Sequence, residues 1–346
     1  MRSTSISAAL AVGSFVLAAG WHTCAVARSA LGGEDRECAD TANAENAIAA
    51  CARLAENRGL GRRNRAIALG NRGAALKQLG RYDEAIADLG RAIDLDAGNP
   101  QYYCQRGDVR LRTGANNEAT ADYTMAIGQS PRLLWAYRGR GQAYLALGDG
   151  EKALADFNEA VRLKPEAFSL LVLRGRANNL VKNYDAAIAD LTQALANPKS
   201  SALLPQERAA VLTQRAYARA KLDRAGEAQA DIDEALRMAP KVAFTVAVSG
   251  LVNEKQGRLT EARDAYARSL TIEPDMALAK LGLERLDKSR LPNSAEASEP
   301  LAQSDPISEP PSSNAPEPVK EPQPGSDQCA KYVPEIGRTV RVKCAE

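Results

Sequence analysis

One spacing decides what this chain can fold into. Glycine at 73 returns at 107, 141 and 175, each step being 34 residues; after seven extra residues the position is Ala216, and 34 later it is Gly250. A second series keeps the same beat: Ala85, Ala119, Ala153, Ala187, Ala228 and Ala262. Between the two markers lie apolar residues at helical spacing, as in "NRGAALKQLGRYDEAIADLGRAI" from Asn71 to Ile93, two amphipathic helices joined at Gly80. A two-helix unit of this size cannot bury its apolar face alone, so successive units must stack on one another in a solenoid. Composition agrees with an all-α body: 45% of the residues are hydrophobic and only 5% aromatic, and strand-like Val/Ile alternation is absent until the last few residues.

The third unit reads Tyr137-x2-Arg140-Gly141-x2-Tyr144, then Ala153-x3-Phe157, Ala160 and Pro165. This resembles the tetratricopeptide repeat, with Tyr for the usual Trp and Arg for the usual Leu. Residues 66–275 hold six such units, and the resemblance implies a right-handed α-α superhelix, the tetratricopeptide solenoid. Glycine or alanine at the eighth position lets paired helices approach closely, and Pro131, Pro165, Pro240 and Pro274 stop the second helix of their units. Residues 28–65 read as an N-terminal half-repeat or cap, because Glu45 to Cys51 resembles a second helix without a good first one. Residues 276–291 read as a capping helix, with Leu278 and Leu281 inward and Lys280, Glu284 and Asp287 outward. The seven-residue insertion between Pro198 and Gln206 predicts a loop or an extra turn, and a flexure point between units four and five.

Charges stand where the helices of each unit should meet. Arginine precedes the marker position in five units (Arg72, Arg106, Arg140, Arg174, Arg215), and the same five carry Asp88, Asp122, Asp156, Asp190 and Asp231; the sixth changes both together, to Ser249 and Ala265. Arg72 and Asp88 lie equally far from the turn at Gly80, so an antiparallel hairpin sets them at one height. The position that could pair with the aspartate inside its own helix varies freely through Arg91, Met125, Glu159, Gln193, Glu234 and Arg268. A ladder of interhelical Arg–Asp pairs, structural rather than chemical, is the expectation.

By the family resemblance, the first helix of each unit lines a concave groove. That assigns to it Asn71, Lys77, Gln105, Arg112, Trp135, Arg138, Gln142, Arg176, Asn179, Tyr217 and Lys221. The face is polar, mostly basic and carries two aromatics, which suits an extended peptide or an acidic protein segment, with arginine forks for carboxylates and Trp135 as an anchor. The family's two-carboxylate clamp is not reproduced, since Gly70, Ala74, Gln101 and Gln105 occupy four of its positions.

The two ends read differently from the body. Residues 1–27 form a signal-peptide pattern: Arg2, an apolar run from Ile6 to Gly20, and Ala25-Val26-Ala27 before the cut. Export predicts a periplasmic or secreted protein without a membrane span in its mature chain, and disulfides Cys38–Cys51 and Cys329–Cys344, leaving Cys104 as an unreactive thiol. Residues 292–328 hold nine prolines, seven acids and one lysine, and predict a disordered Pro/Glu/Ser-rich linker. Residues 329–346 predict a small disulfide-stapled hairpin.

Catalytic signals are poor. The one histidine is His22, inside the signal segment, so no imidazole serves a base, a nucleophile pair or a typical metal site. No phosphate-binding loop is present. The sequence therefore predicts no catalytic residues, no metal and no cofactor. Without basic runs interleaved with aromatics, a nucleic-acid partner is not expected. The reading is a non-enzymatic protein-interaction scaffold or assembly adapter, the alternative being a structural tether that contacts the cell envelope through the C-terminal module.

Overall fold

Pairs of antiparallel helices follow one another from residue 62 to residue 272 in the computed structural model. The structure describes residues 33–40 and 42–288, with the backbone of 328–333 and 338–343. The signal segment, the linker as far as residue 327 and the Cys329–Cys344 bond lie outside the described residues. Two bodies are distinguished, residues 1–292 and 293–346.

In the first body α1 (Gly33–Cys38) and α2 (Ala44–Glu56) precede six helix pairs. The pairs are α3 (Arg62–Gln78) with α4 (Tyr82–Leu95), α5 (Pro100–Arg112) with α6 (Asn116–Gln129), α7 (Leu134–Ala146) with α8 (Gly150–Leu163), α9 (Phe168–Leu180) with α10 (Tyr184–Ala196), α11 (Pro205–Lys221) with α12 (Ala225–Met238), and α13 (Ala243–Lys255) with α14 (Leu259–Ile272). A last helix, α15 (Ala277–Lys288), covers the end. The second body contains one antiparallel hairpin, β1 (Gln328–Val333) and β2 (Arg338–Lys343), with Gln328 opposite Lys343 and Val333 opposite Arg338.

Local chemistry sets the helix ends. Asn99 accepts from the Gln101 amide at 3.1 Å and Pro100 opens α5, while Asp149 caps α8 by accepting from Lys152 N at 3.1 Å. The turn within each pair needs a left-handed residue, which is Gly80, Gly114, Gly148 and Gly257 in four units but Lys182 (φ 63°) and Asp223 (φ 58°) in the other two. The insertion is an extra turn: Pro198–Ala202 forms a 3-10 helix, and the Ser200 hydroxyl donates to the Leu195 carbonyl at 2.9 Å. After Leu203 and Leu204, α11 runs 17 residues, with Glu207 reaching back to accept from the Leu204 amide at 3.0 Å.

Close helix approach follows from the marker glycines. A Cβ on Gly141 would stand 2.7 Å from a Phe157 ring carbon, and one on Gly107 3.0 Å from the Tyr123 ring. Phe157, Tyr123 and Tyr266 are fully buried. Two expectations are corrected. Leu281 is 43% exposed, because the buried stripe of α15 runs Leu278, Gly282, Leu286 at four-residue steps and places Leu281 on its flank. Cys104 is no leftover thiol: it is completely buried and disulfide-bonded. Cys38 and Cys51 form the expected bond, which ties α1 to α2.

Candidate functional site

In five of the six pairs the first helix presents a charged stripe to its partner helix, and its other polar residues are turned away. At the seam, every arginine of the five-unit series grips its aspartate with two nitrogens. The Nε and Nη2 distances are both 2.5 Å in Arg72–Asp88, 3.0 and 2.7 Å in Arg106–Asp122, 2.9 and 2.8 Å in Arg140–Asp156, 2.9 and 2.6 Å in Arg174–Asp190, and 2.9 and 2.7 Å in Arg215–Asp231. The aspartate side chains keep 3 to 8% exposure, the arginines 15 to 25%. Such a fork fixes both distance and orientation. The hydrogen bonds to aspartate raise the pKa of Arg72, Arg140 and Arg174, while burial outweighs Arg140 and raises that of Asp156.

The remaining edge of the guanidinium reaches the preceding unit. Arg140 Nη1 donates to Thr124 Oγ1 at 3.0 Å, Arg174 Nη1 to Asn158 Oδ1 at 3.5 Å, and Arg215 Nη1 to Thr192 Oγ1 at 3.2 Å. Each of these three arginines thus ties its own hairpin and the joint between hairpins. Sequence reasoning missed a second donor one turn along the first helix: Arg110 reaches Asp122 at 2.6 Å, Arg219 reaches Asp231 at 2.7 Å, and Asn178 Nδ2 reaches Asp190 at 3.1 Å. The signal was available, as these residues share one repeat position, but the other units place Leu76, Tyr144 and Asn253 there.

On the outward stripe, the residues assigned to the groove divide into two groups. Near the N-terminus the charges are held internally. Asn71 is buried and donates toward Cys38 Sγ at 3.9 Å, which puts it against α1. Lys77, only 9% exposed, reaches Asp108 Oδ2 at 3.5 Å, and the Tyr123 hydroxyl donates to the other oxygen of Asp108 at 2.7 Å. Burial, and then Asp108 itself, push the Tyr123 pKa upward. Arg138 lies over the Trp135 ring at 5.3 Å; burial lowers its pKa against the opposing pull of Asp108. Gln105 is buried, Gln142 half-buried and Arg112 exposed.

Further along, the pattern changes. Arg176 on α9 is half-buried and has no hydrogen bond or ion pair among the described residues, and burial alone lowers its pKa. One turn on, Asn179 is buried and donates to the Gln214 carbonyl and to its Oε1, both at 3.0 Å, joining α9 to α11. Lys221 is half-buried with its ammonium 5.4 Å from the centre of the Tyr217 ring. That ring also meets Tyr184 edge-on at 6.1 Å and Phe244 at 5.9 Å. Burial, then Arg285 and Lys255, lower the Lys221 pKa against the opposing pull of Glu254. The nearby Glu254 is occupied, receiving Arg285 at 2.8 and 2.9 Å and the Tyr266 hydroxyl at 2.6 Å. Among the described residues no cluster of His, Cys, Asp and Glu could hold a metal ion, and no helix is long and apolar enough to cross a membrane.

Residues 73–114 match the TPR repeat family, and residues 138–202 and 213–277 match the tetratricopeptide repeat family. No curated protein matches the chain. A chain of the APC/C hetero-tetramer Cut9-Hcn1 is similar in structure, with a TM-score of 0.56 and 18% identity, over 70% of this chain and 46% of that one. This protein therefore corresponds to about half the length of that relative. A tetratricopeptide repeat protein from Parabacteroides merdae ATCC 43184 is similar with a TM-score of 0.50 and 17% identity, over 70% of this chain and 91% of that one. Such identities speak for the fold alone. Spacing, helix pairing and family matches agree that the chain carries tetratricopeptide repeats arranged as a solenoid.

Proposed function

We propose that this protein is an exported scaffold or assembly adapter, which receives an extended or acidic segment of a protein partner along the groove formed by its first helices. Tetratricopeptide solenoids are in general protein-interaction scaffolds and not enzymes, and stacked repeats present an extended concave surface to partners. The observation that carries the reading is the contrast between the two stripes. Seam arginines are neutralised by aspartate, whereas on the outward stripe Arg176 meets no carboxylate among the described residues and Lys221 forms no ion pair there, Glu254 being held by Arg285. Export is supported by the signal-peptide pattern and by the Cys38–Cys51 disulfide, a bond that persists in oxidising compartments.

Two experiments test this. Intact mass of the protein recovered from the cell exterior or periplasm should begin at Arg28; recovery of the full-length chain in the cytoplasm contradicts export. Crosslinking in intact cells should capture a partner that is lost with Arg176→Gln or Trp135→Ala. The hairpin of β1 and β2 supports a second reading, in which residues 329–346 attach the protein to the envelope. In that case removal of residues 293–346 abolishes capture and the groove variants do not.

A further inference from the structure

The charges of the groove can be followed pair by pair. Lys77 answers Asp108, which also holds Tyr123 and faces Arg138, and Arg138 covers Trp135. Arg285 answers Glu254, and Lys255 answers Asp223 at 2.5 Å. Two cations stand outside these ion pairs: Arg176, on which no carboxylate acts among the described residues, and Lys221, which feels Glu254 without an ion pair while burial, Arg285 and Lys255 outweigh that pull. Both are half-buried, so each is shielded from much of the solvent that would otherwise satisfy it.

Their relative placement is set by the Asn179–Gln214 bonds, which bring those two residues of α9 and α11 level. Arg176 is one turn before Asn179 and Lys221 two turns beyond Gln214. At about 1.5 Å per residue along the helices and about 10 Å between them, the two cations stand about 15 to 20 Å apart. An extended peptide covers that distance in about five or six residues. Beside Lys221 lies the aromatic strip of Tyr184, Tyr217 and Phe244, of which Tyr184 and Phe244 are half-buried and Tyr217 buried.

We infer that the groove reads its partner in repeats four and five: Arg176 and Lys221 each receive one acidic side chain of an extended peptide, and the Tyr184–Tyr217–Phe244 strip receives an apolar side chain near the second acid. This rests on the groove reading above and narrows it. An arginine takes the first carboxylate with its fork, and an ammonium over a ring takes the second as a point charge. The lowered pKa values of both groups agree, because an incoming carboxylate would relieve the cost of holding an enclosed cation unpaired. Arg138, already balanced by Asp108 and seated on Trp135, contributes less.

The test uses the mature protein and a fluorescent peptide carrying two glutamates about five residues apart around one apolar side chain, with a glutamine twin. Fluorescence anisotropy at low ionic strength should show the glutamate peptide binding at least about tenfold more tightly than its twin, a gap that narrows with salt. Arg176→Gln and Lys221→Gln should each weaken binding of the glutamate peptide about tenfold. Arg138→Gln should cost less than either, and Arg237→Gln, an exposed residue of α12, should leave binding within about twofold. Circular dichroism of each variant checks that the helices persist. Equal binding of the two peptides, or equal losses from Arg138→Gln and Arg176→Gln, overturns the inference. If cellular crosslinking still captures a partner through the groove, the scaffold reading survives that result; if neither peptide binds and no partner is captured, both fall.

Discussion

Arg174 and Arg176 lie two residues apart on α9 and do opposite things. Arg174 points to the seam, is gripped by Asp190 at 2.6 and 2.9 Å, and has its pKa raised by that bond. Arg176 points away, has no anion among the described residues, and has its pKa lowered by burial. The same side chain is structural on one face and available on the other. The periodic aspartate makes the difference: wherever the partner helix supplies one, the arginine is committed to the fold. The seam is therefore a region where charge specifies how two helices meet, and the outward face of α9 carries a charge that the fold does not use.

The comparison can be broken most forcefully at the seam. Asp156→Ala leaves Arg140 enclosed without its partner and should cost about 3 kcal/mol of stability in chemical denaturation. A loss below about 0.5 kcal/mol would mean that water replaces the carboxylate freely. A double-mutant cycle sharpens the point. Arg140→Met and Asp156→Leu should be strongly non-additive, with coupling of about 1 to 2 kcal/mol, because the apolar pair removes both charges together. Simple additivity contradicts a direct pair. A smaller effect sets the scale away from either stripe: Lys182→Gly relaxes the left-handed turn between α9 and α10 and should raise stability by about 1 kcal/mol, as glycine already does this at Gly148. Destabilisation there would show that the Lys182 side chain matters more than its backbone.

Much of this was legible in the chain because a repeat repeats its errors as well as its rules. One arginine near a helix seam means little, but five arginines matched by five aspartates, both lost together at Ser249 and Ala265, carry the geometry of the hairpin with them. The same redundancy exposed the marker glycines, whose neighbours Leu89, Tyr123, Phe157, Leu191 and Tyr266 fill the missing Cβ. What could not be read was set by register between units. Lys77 meets Asp108 across 31 residues, and Arg140 meets Thr124 in the preceding hairpin, contacts fixed only when the hairpins stack. Asn71 fitted a groove position by count, yet α1 lies against it, because no periodicity describes the irregular N-terminal cap. Leu281 failed for a plainer reason: in one short terminal helix, a step of three and a step of four are equally good guesses, and the stripe took four.

The most direct test of the central claim measures the two neighbouring arginines together. Arg174→Gln and Arg176→Gln, each in the otherwise unchanged protein, should be compared by chemical denaturation under one set of conditions. Arg174→Gln should lose about 2 kcal/mol, softened because Asn178 still donates to Asp190 at 3.1 Å. Arg176→Gln should be neutral within about 0.5 kcal/mol or slightly stabilising, since it removes an enclosed cation that holds nothing in the fold. Equal destabilisation by the two substitutions would contradict the division between a structural seam and an available face.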